Sequence, residues 1–533
     1  MFVKHNLSFK SSRVLNPLVQ DYLENKESIK SLFNYPASKF GFKSLLLSNP
    51  YSNFDRELLS GILLAQSKLV TNTTKKTLNN ISLLNQKKTY TVTTGHQLCL
   101  FSGPLYFINK ILTTINLSDE LNKEFPDYHF VPIYWMASED HDFDEVNHFN
   151  AFEKKIEWND IQTGAVGDFD TKEIKKILPH IKKLFGNSVS ANELILLFEN
   201  AYLKNNTLAN ATRFLVNTIF GRYGLITADG NDSLFKKQFK NQFKKDIFEN
   251  IAFKEVKNSI AKINSLGYSS QVNPREINCF YLEKNARTRI EKNGRQFNLI
   301  GTEKKLSDFD INDIIENFPE KISPNVVLRP IYQQIILPNL CYVGGPSEIA
   351  YWLEFKEMFN SYEVIYPILM PRNFVTIIDK KTFSKIEKLN LSTIDFFHTE
   401  QEIINKYIIL QNNNFELESE KEKIKQVYSE IQTKILPFEK TLEKSILAEL
   451  QKQLKGIEEI GNKAKKALKQ KSEFEINQIK KIKFKLFPCN IAQERFENFS
   501  SFYIKYGETF VDKLKNSIEP FNYSHVILIE ESF

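Results

Sequence analysis

A chain of 533 residues with 42% hydrophobic content has apolar material for more than one core, which excludes bulk disorder and leads us to expect two or three structural units. The formal net charge of +7 is concentrated: residues 421–487 hold 17 Lys and 9 Glu with no Arg or Asp, so that segment carries +8 and the remainder −1, the signature of a solvated helix rather than a nucleic-acid groove. Cys99, Cys279, Cys341 and Cys489 show neither paired nor zinc-ribbon spacing, no apolar leader opens the chain, and no run approaches the roughly 20 apolar residues of a membrane span, so the reading is a reduced, cytoplasmic protein.

In chain order, Leu58, Leu59, Ile62, Leu63 and Leu69 recur at helical spacing within residues 54–84. Short β-rich runs then alternate with helical segments: Tyr90 to Thr94, Phe130 to Met136, Gly224 to Ala228, Cys341 to Val343 and Val364 to Leu369. This alternation predicts an α/β class with a mostly parallel sheet covered by helices. Residues 151–215 and 240–325 read as excursions from it, the second with a hairpin around Asn285 and Asn293-Gly294. From about Glu416 the pattern becomes a coiled coil. Ile424, Val427 and Ile431 form one stripe, Pro437 marks a turn or kink, and Leu447, Leu450, Leu454, Ile457, Gly461, Ala464 and Leu468 form a second stripe. Two helices flanking Pro437 would form an antiparallel arm suited to homodimerisation, and one long amphipathic helix lying on the core is the alternative. Helical signals from Ile491 to Leu514 and a strand from His525 to Ile529 close the chain. The expected domains are a core over 1–380 and a C-terminal region over 381–533, with the coiled coil at about 416–487 and a returning segment at 488–533.

Candidate chemistry gathers at the predicted carboxyl ends of strands. The first group is Gly95-His96-Gln97 with Gly103-Pro104, where glycines and a helix start can hold an anion close to the main chain, although a structural turn explains the glycines equally well. His96 and Cys99, three apart, form too small a set for a zinc site, and no metal ligands are assigned. The second group is Ser138-Glu139-Asp140-His141-Asp142, in which carboxylates can orient an imidazole that takes up a proton; a solvated acidic turn is the plainer alternative. The third runs from Arg329-Pro330 through Gln333 to Gly344-Gly345-Pro346-Ser347-Glu348. There Arg329 is a fork for a carboxylate or a surface ion-pair partner, and Ser347-Glu348 can open a helix. Asp229-Gly230 is a weaker fourth group.

These residues resemble the bacillithiol biosynthesis cysteine-adding enzymes, often described as cysteine ligases (the BshC family). The resemblance rests on Thr94, Gly95, Gln97 and Gly103 to Tyr106; on Ser138 to Asp142; on Arg329, Pro330, Gln333, Gly344 to Pro346 and Glu348; and on Gln493-Glu494-Arg495, in order across nearly the whole chain. Position 96 is His where the family usually carries Gln. The two-histidine signature of class I aminoacyl-tRNA synthetases is absent, because Gly103-Pro104-Leu105 continues as Tyr106-Phe107-Ile108-Asn109-Lys110. The resemblance implies a Rossmann-like, synthetase-like core with inserted connecting elements and a coiled coil supporting a homodimer.

It further implies addition of L-cysteine to the amine of glucosaminyl-malate, the last step to the thiol bacillithiol. Because amide formation from a free carboxylate is uphill in water, the acid must be activated, most economically by ATP, with Mg²⁺ accompanying it. On this reading Gly95, Gln97 and the helix start near Gly103 hold the activated group, with Tyr106 beside them and Lys110 as countercharge. His141, supported by Asp140 or Asp142, takes the amine proton beside Ser138 and Glu139. Arg329, with Gln333, holds the malyl carboxylate, and Gly344, Gly345 and Glu348 shape the opposite wall. Two other readings stand beside it: another nucleotide-dependent ligase or nucleotidyltransferase, and a non-catalytic metabolite-binding protein whose coiled coil recruits partners.

Overall fold

The computed structural model describes residues 2–294, 296–411 and 417–531. It divides into two compact units. One is Asn6–Thr376 with Gln493–Ile527, and the other is Ile377–Ala492 with short pieces from both chain ends.

The first unit is built on a five-stranded sheet of β1 (Thr89–His96), β2 (His129–Met136), β3 (Ile226–Asp229), β4 (Asn339–Gly344) and β5 (Ile368–Pro371), in the spatial order β5-β4-β1-β2-β3. Every neighbouring pair is parallel. The strands are buried nearly throughout, as β-branched and aromatic runs covered on both faces must be. Val92, Val131, Ile133, Ile226 and Val343 are each 0–1% exposed. Each such side chain contributes roughly 1.5–3 kcal/mol of apolar burial.

The strand order reverses between β1 and β4, because the chain adds β2 and β3 on one side of β1 and then crosses to add β4 and β5 on the other. That is the Rossmann-like arrangement, in which ligands bind beyond the carboxyl ends of the strands at the reversal.

Helix α1 (Tyr106–Glu124) follows β1 and is buried along most of its length despite carrying Thr113, Thr114 and Ser118. Each of these hydroxyls donates to the carbonyl four residues earlier, so all three are satisfied within the helix. At the far end of α1, Asn122 exchanges two 2.9 Å hydrogen bonds with the Phe130 backbone and ties the helix to β2.

The second excursion contains a five-stranded antiparallel sheet. Its hairpin pairs Cys279–Glu283 with Ala286–Asn293 through a two-residue turn, where Asn285 adopts φ +63°. Asparagine tolerates that left-handed backbone better than most residues, so the sequence marked this turn correctly.

In the second unit, Glu418–Ile435 and Glu443–Lys471 pack together as helices on either side of Leu436-Pro437. A Cβ at Gly461 would lie 3.6 Å from Leu417 Cδ1, which pairs the start of one helix with the later part of the other and makes them antiparallel. Leu450, Leu454, Ile457, Gly461, Ala464 and Leu468 are half-buried, as the stripe requires. At the turn end Ile446 is buried and Leu447 exposed, a one-residue shift of the expected seam. The expected boundary at Glu416 lies outside the described residues.

Several boundaries differ from expectation: β1, β3 and β4 shift by one or two residues at their ends, and two differences are larger. The fifth strand begins at Ile368 rather than Val364, following Glu363 at φ +57° and Pro367, which has no N–H to give a ladder. The C-terminal helical signal resolves into Gln493–Phe496, Phe499–Tyr506 and Phe510–Ser517, with Asn498 capping the second piece and Gly507 at φ +78° ending it. No helix among the described residues is long and apolar enough to cross a membrane.

Candidate functional site

A cavity of about 470 Å³ opens beyond the carboxyl ends of β1, β2 and β4, at the reversal of strand order. The loop after β1 gives it Gly95, His96 and Gln97; α1 gives Tyr106 and Lys110; the loop after β2 gives Glu139 and Asp140. Arg329 enters from the first turn of α2 (Arg329–Ile336), and Gly345 and Glu348 from the start of α3 (Pro346–Leu353). Nine of these ten were expected to serve the site, and the fold brings them together with His96.

The remaining expected residues lie elsewhere. Gly103, at φ +61°, packs against Cys99, which a Cβ would approach to 2.7 Å, and its carbonyl accepts from Asn498. It shapes the turn into α1 and does not face the cavity. Ser138 is buried behind the wall and donates to the Asp229 carboxylate. Gln333, fully buried, accepts from Arg329 Nη1 at 3.0 Å and sets the angle of that guanidinium. Gly344 lies beneath Glu348, and its carbonyl accepts from the Arg372 N–H at 2.8 Å. Asp142 caps the short helix Phe143–Val146. His141 stands outside the cavity, 47% exposed, and its Nδ1 accepts from Arg287 Nη1 at 2.9 Å. A guanidinium only donates, so the neutral ring carries its proton on Nε2.

Lys110 is 3% exposed, and its Nζ donates to the Gly95 carbonyl at 2.6 Å and to Glu348 Oε2 at 2.5 Å. Glu348 also accepts from Tyr342 Oη and from the Gly345 N–H, each at 2.7 Å. Burial pushes the Glu348 carboxyl up, but the Lys110 ammonium and these donors outweigh it and hold it below the ordinary value. The expected countercharge at Lys110 is therefore already matched by a carboxylate.

Across the cavity, burial likewise opposes ionisation of Asp140. The His141 backbone N–H, the Gln97 amide and the nearby Arg287 charge prevail, leaving it ionised well below the usual carboxylate range. Gln97 Nε2 lies 2.7 Å from Asp140 Oδ2 and 2.5 Å from Glu145 Oε2, bridging the two loops. Glu139 pairs at 2.6 Å with Lys236, which is itself fully buried.

His96 is held on both sides, its Nδ1 3.0 Å from the Gln97 carbonyl and its Nε2 3.0 Å from Tyr106 Oη. The carbonyl can only accept, so Nδ1 bears the proton and the Tyr106 hydroxyl donates to Nε2. Burial, with Lys110 and Arg372 nearby, lowers the imidazole to about 4, and burial pushes the Cys99 thiol up to about 12. Both groups are neutral at pH 7.

Sequence reasoning missed three guanidinium groups that line the cavity: Arg287, Arg372 and Arg495. Arg372 directly follows β5, the position at which the other loops were found, so the same rule could have located it. Arg495 sits in the Gln493-Glu494-Arg495 motif and was not given a role. Arg287 comes from the inserted hairpin, whose alternating charges carry no signal. Arg372 and Glu494, each 1% exposed, pair at 2.7 Å, and the Arg372 guanidinium lies 5.1 Å from the centre of the Tyr106 ring. Lys110, Arg287 and Arg372 thus each have a carboxylate within 4.0 Å. Arg329 and Arg495 have none among the described residues. Arg329 rests over Trp135 and Tyr342, and Arg495 over Tyr106, at 5.7–5.9 Å from the ring centres. The cavity therefore holds two guanidinium groups with no carboxylate partner among the described residues, an arrangement able to hold an anion.

The family model described as "Bacillithiol biosynthesis BshC, N-terminal Rossmann-like domain" matches residues 2–373, and "Bacillithiol biosynthesis BshC, C-terminal coiled-coil domain" matches residues 375–530. A protein of Flavobacterium psychrophilum named "Putative cysteine ligase BshC" is 39% identical over 517 residues, 96% of this chain and 97% of its own. Proteins of the same name are 37% identical in Christiangramia forsetii, covering 98% of each chain, and 28% identical in Bacillus cereus strain B4264, covering 96% and 97%.

Proposed function

Because the chain belongs to the bacillithiol biosynthesis BshC family, we propose that it is a ligase joining the carboxylate of L-cysteine to the amine of glucosaminyl-malate through a new C–N bond. The observation that carries this reading is the pair of uncompensated guanidiniums, Arg329 and Arg495, in one cavity at the strand-order reversal. Two planar forks without carboxylate partners suit the two carboxylates of a malyl group, each able to accept a bidentate pair.

The remaining residues divide between holding and orienting. Gly95 has no side chain, and a Cβ there would lie 3.5 Å from Tyr342 Oη and 3.7 Å from Arg329 Nη1, occupying space that a ligand can take. The Glu348–Lys110 pair fixes the floor. Ionised Asp140 orients the attacking amine, and His141 takes its proton at Nδ1 once Arg287 gives up the hydrogen bond it makes there. ATP with Mg²⁺ would supply the activation that a free carboxylate lacks. The uncompensated positive charge fits its phosphates as well as a dicarboxylate, and Gln97 and the Gly95 main chain face the same space. We further propose that the protein works in the cytoplasm as a homodimer assembled through the coiled-coil arm.

Purified protein supplied with L-cysteine and glucosaminyl-malate, with and without ATP and Mg²⁺, tests the reading by mass spectrometry of the thiol product. The expected product is the cysteine amide of glucosaminyl-malate. No such product, either with pure protein or in cell extract, would refute the proposed reaction. A product formed only in extract would place the activating partner outside this chain.

A further inference from the structure

Beside the cationic cavity lies a second trough of about 650 Å³, and the side chain common to both is Arg287. The trough is built where two inserted segments meet. Thr163 Oγ1 donates to the Asn285 carbonyl at 2.7 Å, and Gly164, at φ +97°, lies so close to the hairpin that a Cβ would sit 2.8 Å from the Ala286 nitrogen. Only glycine permits that approach, so the trough wall is a fixed junction.

Arg287 forms the partition. Its guanidinium stacks on Phe280 at 4.0 Å, donates to Ser323 Oγ and the Pro324 carbonyl at 3.2 Å, and holds His141 Nδ1 at 2.9 Å. His141 also lines the trough, as do Asp142, Asp144, Thr288 and Asn285. The Asn285 side-chain amide makes no hydrogen bond among the described residues. The two compartments thus differ: the cavity holds two guanidiniums without carboxylate partners, whereas the trough is lined by the carboxylates Asp142 and Asp144, the Asn285 amide and His141.

We infer that the trough is the sugar subsite of the acceptor, which takes a polyhydroxylated amine whose anionic end lies in the cationic cavity. This rests on the reading of the cavity as the acid-amine ligation site. Carboxylates and an amide present acceptors and donors to adjacent hydroxyls, and the carboxylates favour an ammonium group over an anion. A ligand carrying carboxylates at one end and an amino sugar at the other matches this polarity in one orientation only. In that orientation its amine passes the Arg287–His141 seam, where Asp140 faces the cavity.

The test is ligand-observed saturation-transfer NMR with glucosaminyl-malate on the full-length protein, comparing wild type with the double variant Asp144→Asn/Asn285→Gly, since glycine keeps the left-handed turn at 285. Both positions are exposed, and a thermal melt checks that the fold is kept. Transfer to sugar-ring protons should fall several-fold in the variant while transfer to the malyl protons persists, and the KM for glucosaminyl-malate should rise about 5-fold or more with the KM for L-cysteine unchanged. An unchanged transfer pattern in the variant overturns the subsite. Binding by wild type with the expected pattern but without turnover overturns the proposed reaction and leaves the subsite standing. No binding by wild type overturns both.

Discussion

Glu494→Gln is the perturbation with the most direct consequence. The Glu494 carboxylate sits 2.7 Å from Arg372 Nη2, and its Oε2 accepts from Asn109 Nδ2 at 2.7 Å and from the Val375 N–H at 3.0 Å. A glutamine that keeps its oxygen for Asn109 and Val375 must aim its amide at the guanidinium, donor against donor; flipped, it loses the other two bonds. Either way Arg372 remains buried without a countercharge, which costs about 3–5 kcal/mol. A unit of roughly 400 residues, with about 2 cal/mol/K of unfolding entropy per residue, then melts about 4–6 °C lower. The assay is calorimetric melting of wild type, Glu494→Gln, Arg372→Met and the double variant. The double variant should recover part of the loss, because an apolar side chain needs no partner. A Glu494→Gln protein melting within 1 °C of wild type, or losses in the two single variants that simply add, would refute the claim that this pair is a coupled buried unit.

Three further outcomes are expected. His96 has an ordinary pKa of 6.5 when unfolded and about 4 when folded, so between these values the unfolded chain binds more protons and stability falls as pH drops. His96→Gln should remove about 2 kcal/mol of the stability difference between pH 7.5 and pH 5, read from urea melts; an unchanged slope would show that His96 is not the titrating group. Arg329→Lys keeps the charge but loses the fork, so it should chiefly raise the KM for glucosaminyl-malate with kcat nearly kept, and a KM equal to wild type would leave Arg329 with a packing role. Deleting residues 421–487 should reduce the solution mass, by light scattering, to that of one chain; a truncated protein that stays dimeric shows that the arm is not the sole contact.

The sequence announced the sheet more clearly than the cavity. β1 and β2 are rich in β-branched and aromatic residues, β4 is a short apolar run, and all three end close to glycine or acidic turns. The loops that follow them carried the recognisable residues, but position in a loop does not say which way a side chain points. Gly103 and Ser138 serve the wall from behind, whereas Gly95 and Glu139 face the ligand space, and only the packing of Cys99, Asn498 and Asp229 decides between these roles. Arg287 was illegible for another reason: it reaches the site from an antiparallel insertion whose strand alternation looks like that of any exposed hairpin. Arg495 was visible in its motif but could not be placed, since its distance in sequence from the other motifs says nothing about its distance in space.

Part of the pocket is supplied very late in the chain. Glu494 anchors Arg372, the Glu497 carbonyl accepts the Leu105 N–H, and Asn498 donates to the Phe101 and Gly103 carbonyls. During synthesis the parallel sheet can therefore be complete while its crevice still lacks a wall, and the wall arrives only after the whole lysine-rich arm has been translated. A product that stops within the arm would lack Glu494, Arg495 and Asn498, and with them the side chains that finish the crevice.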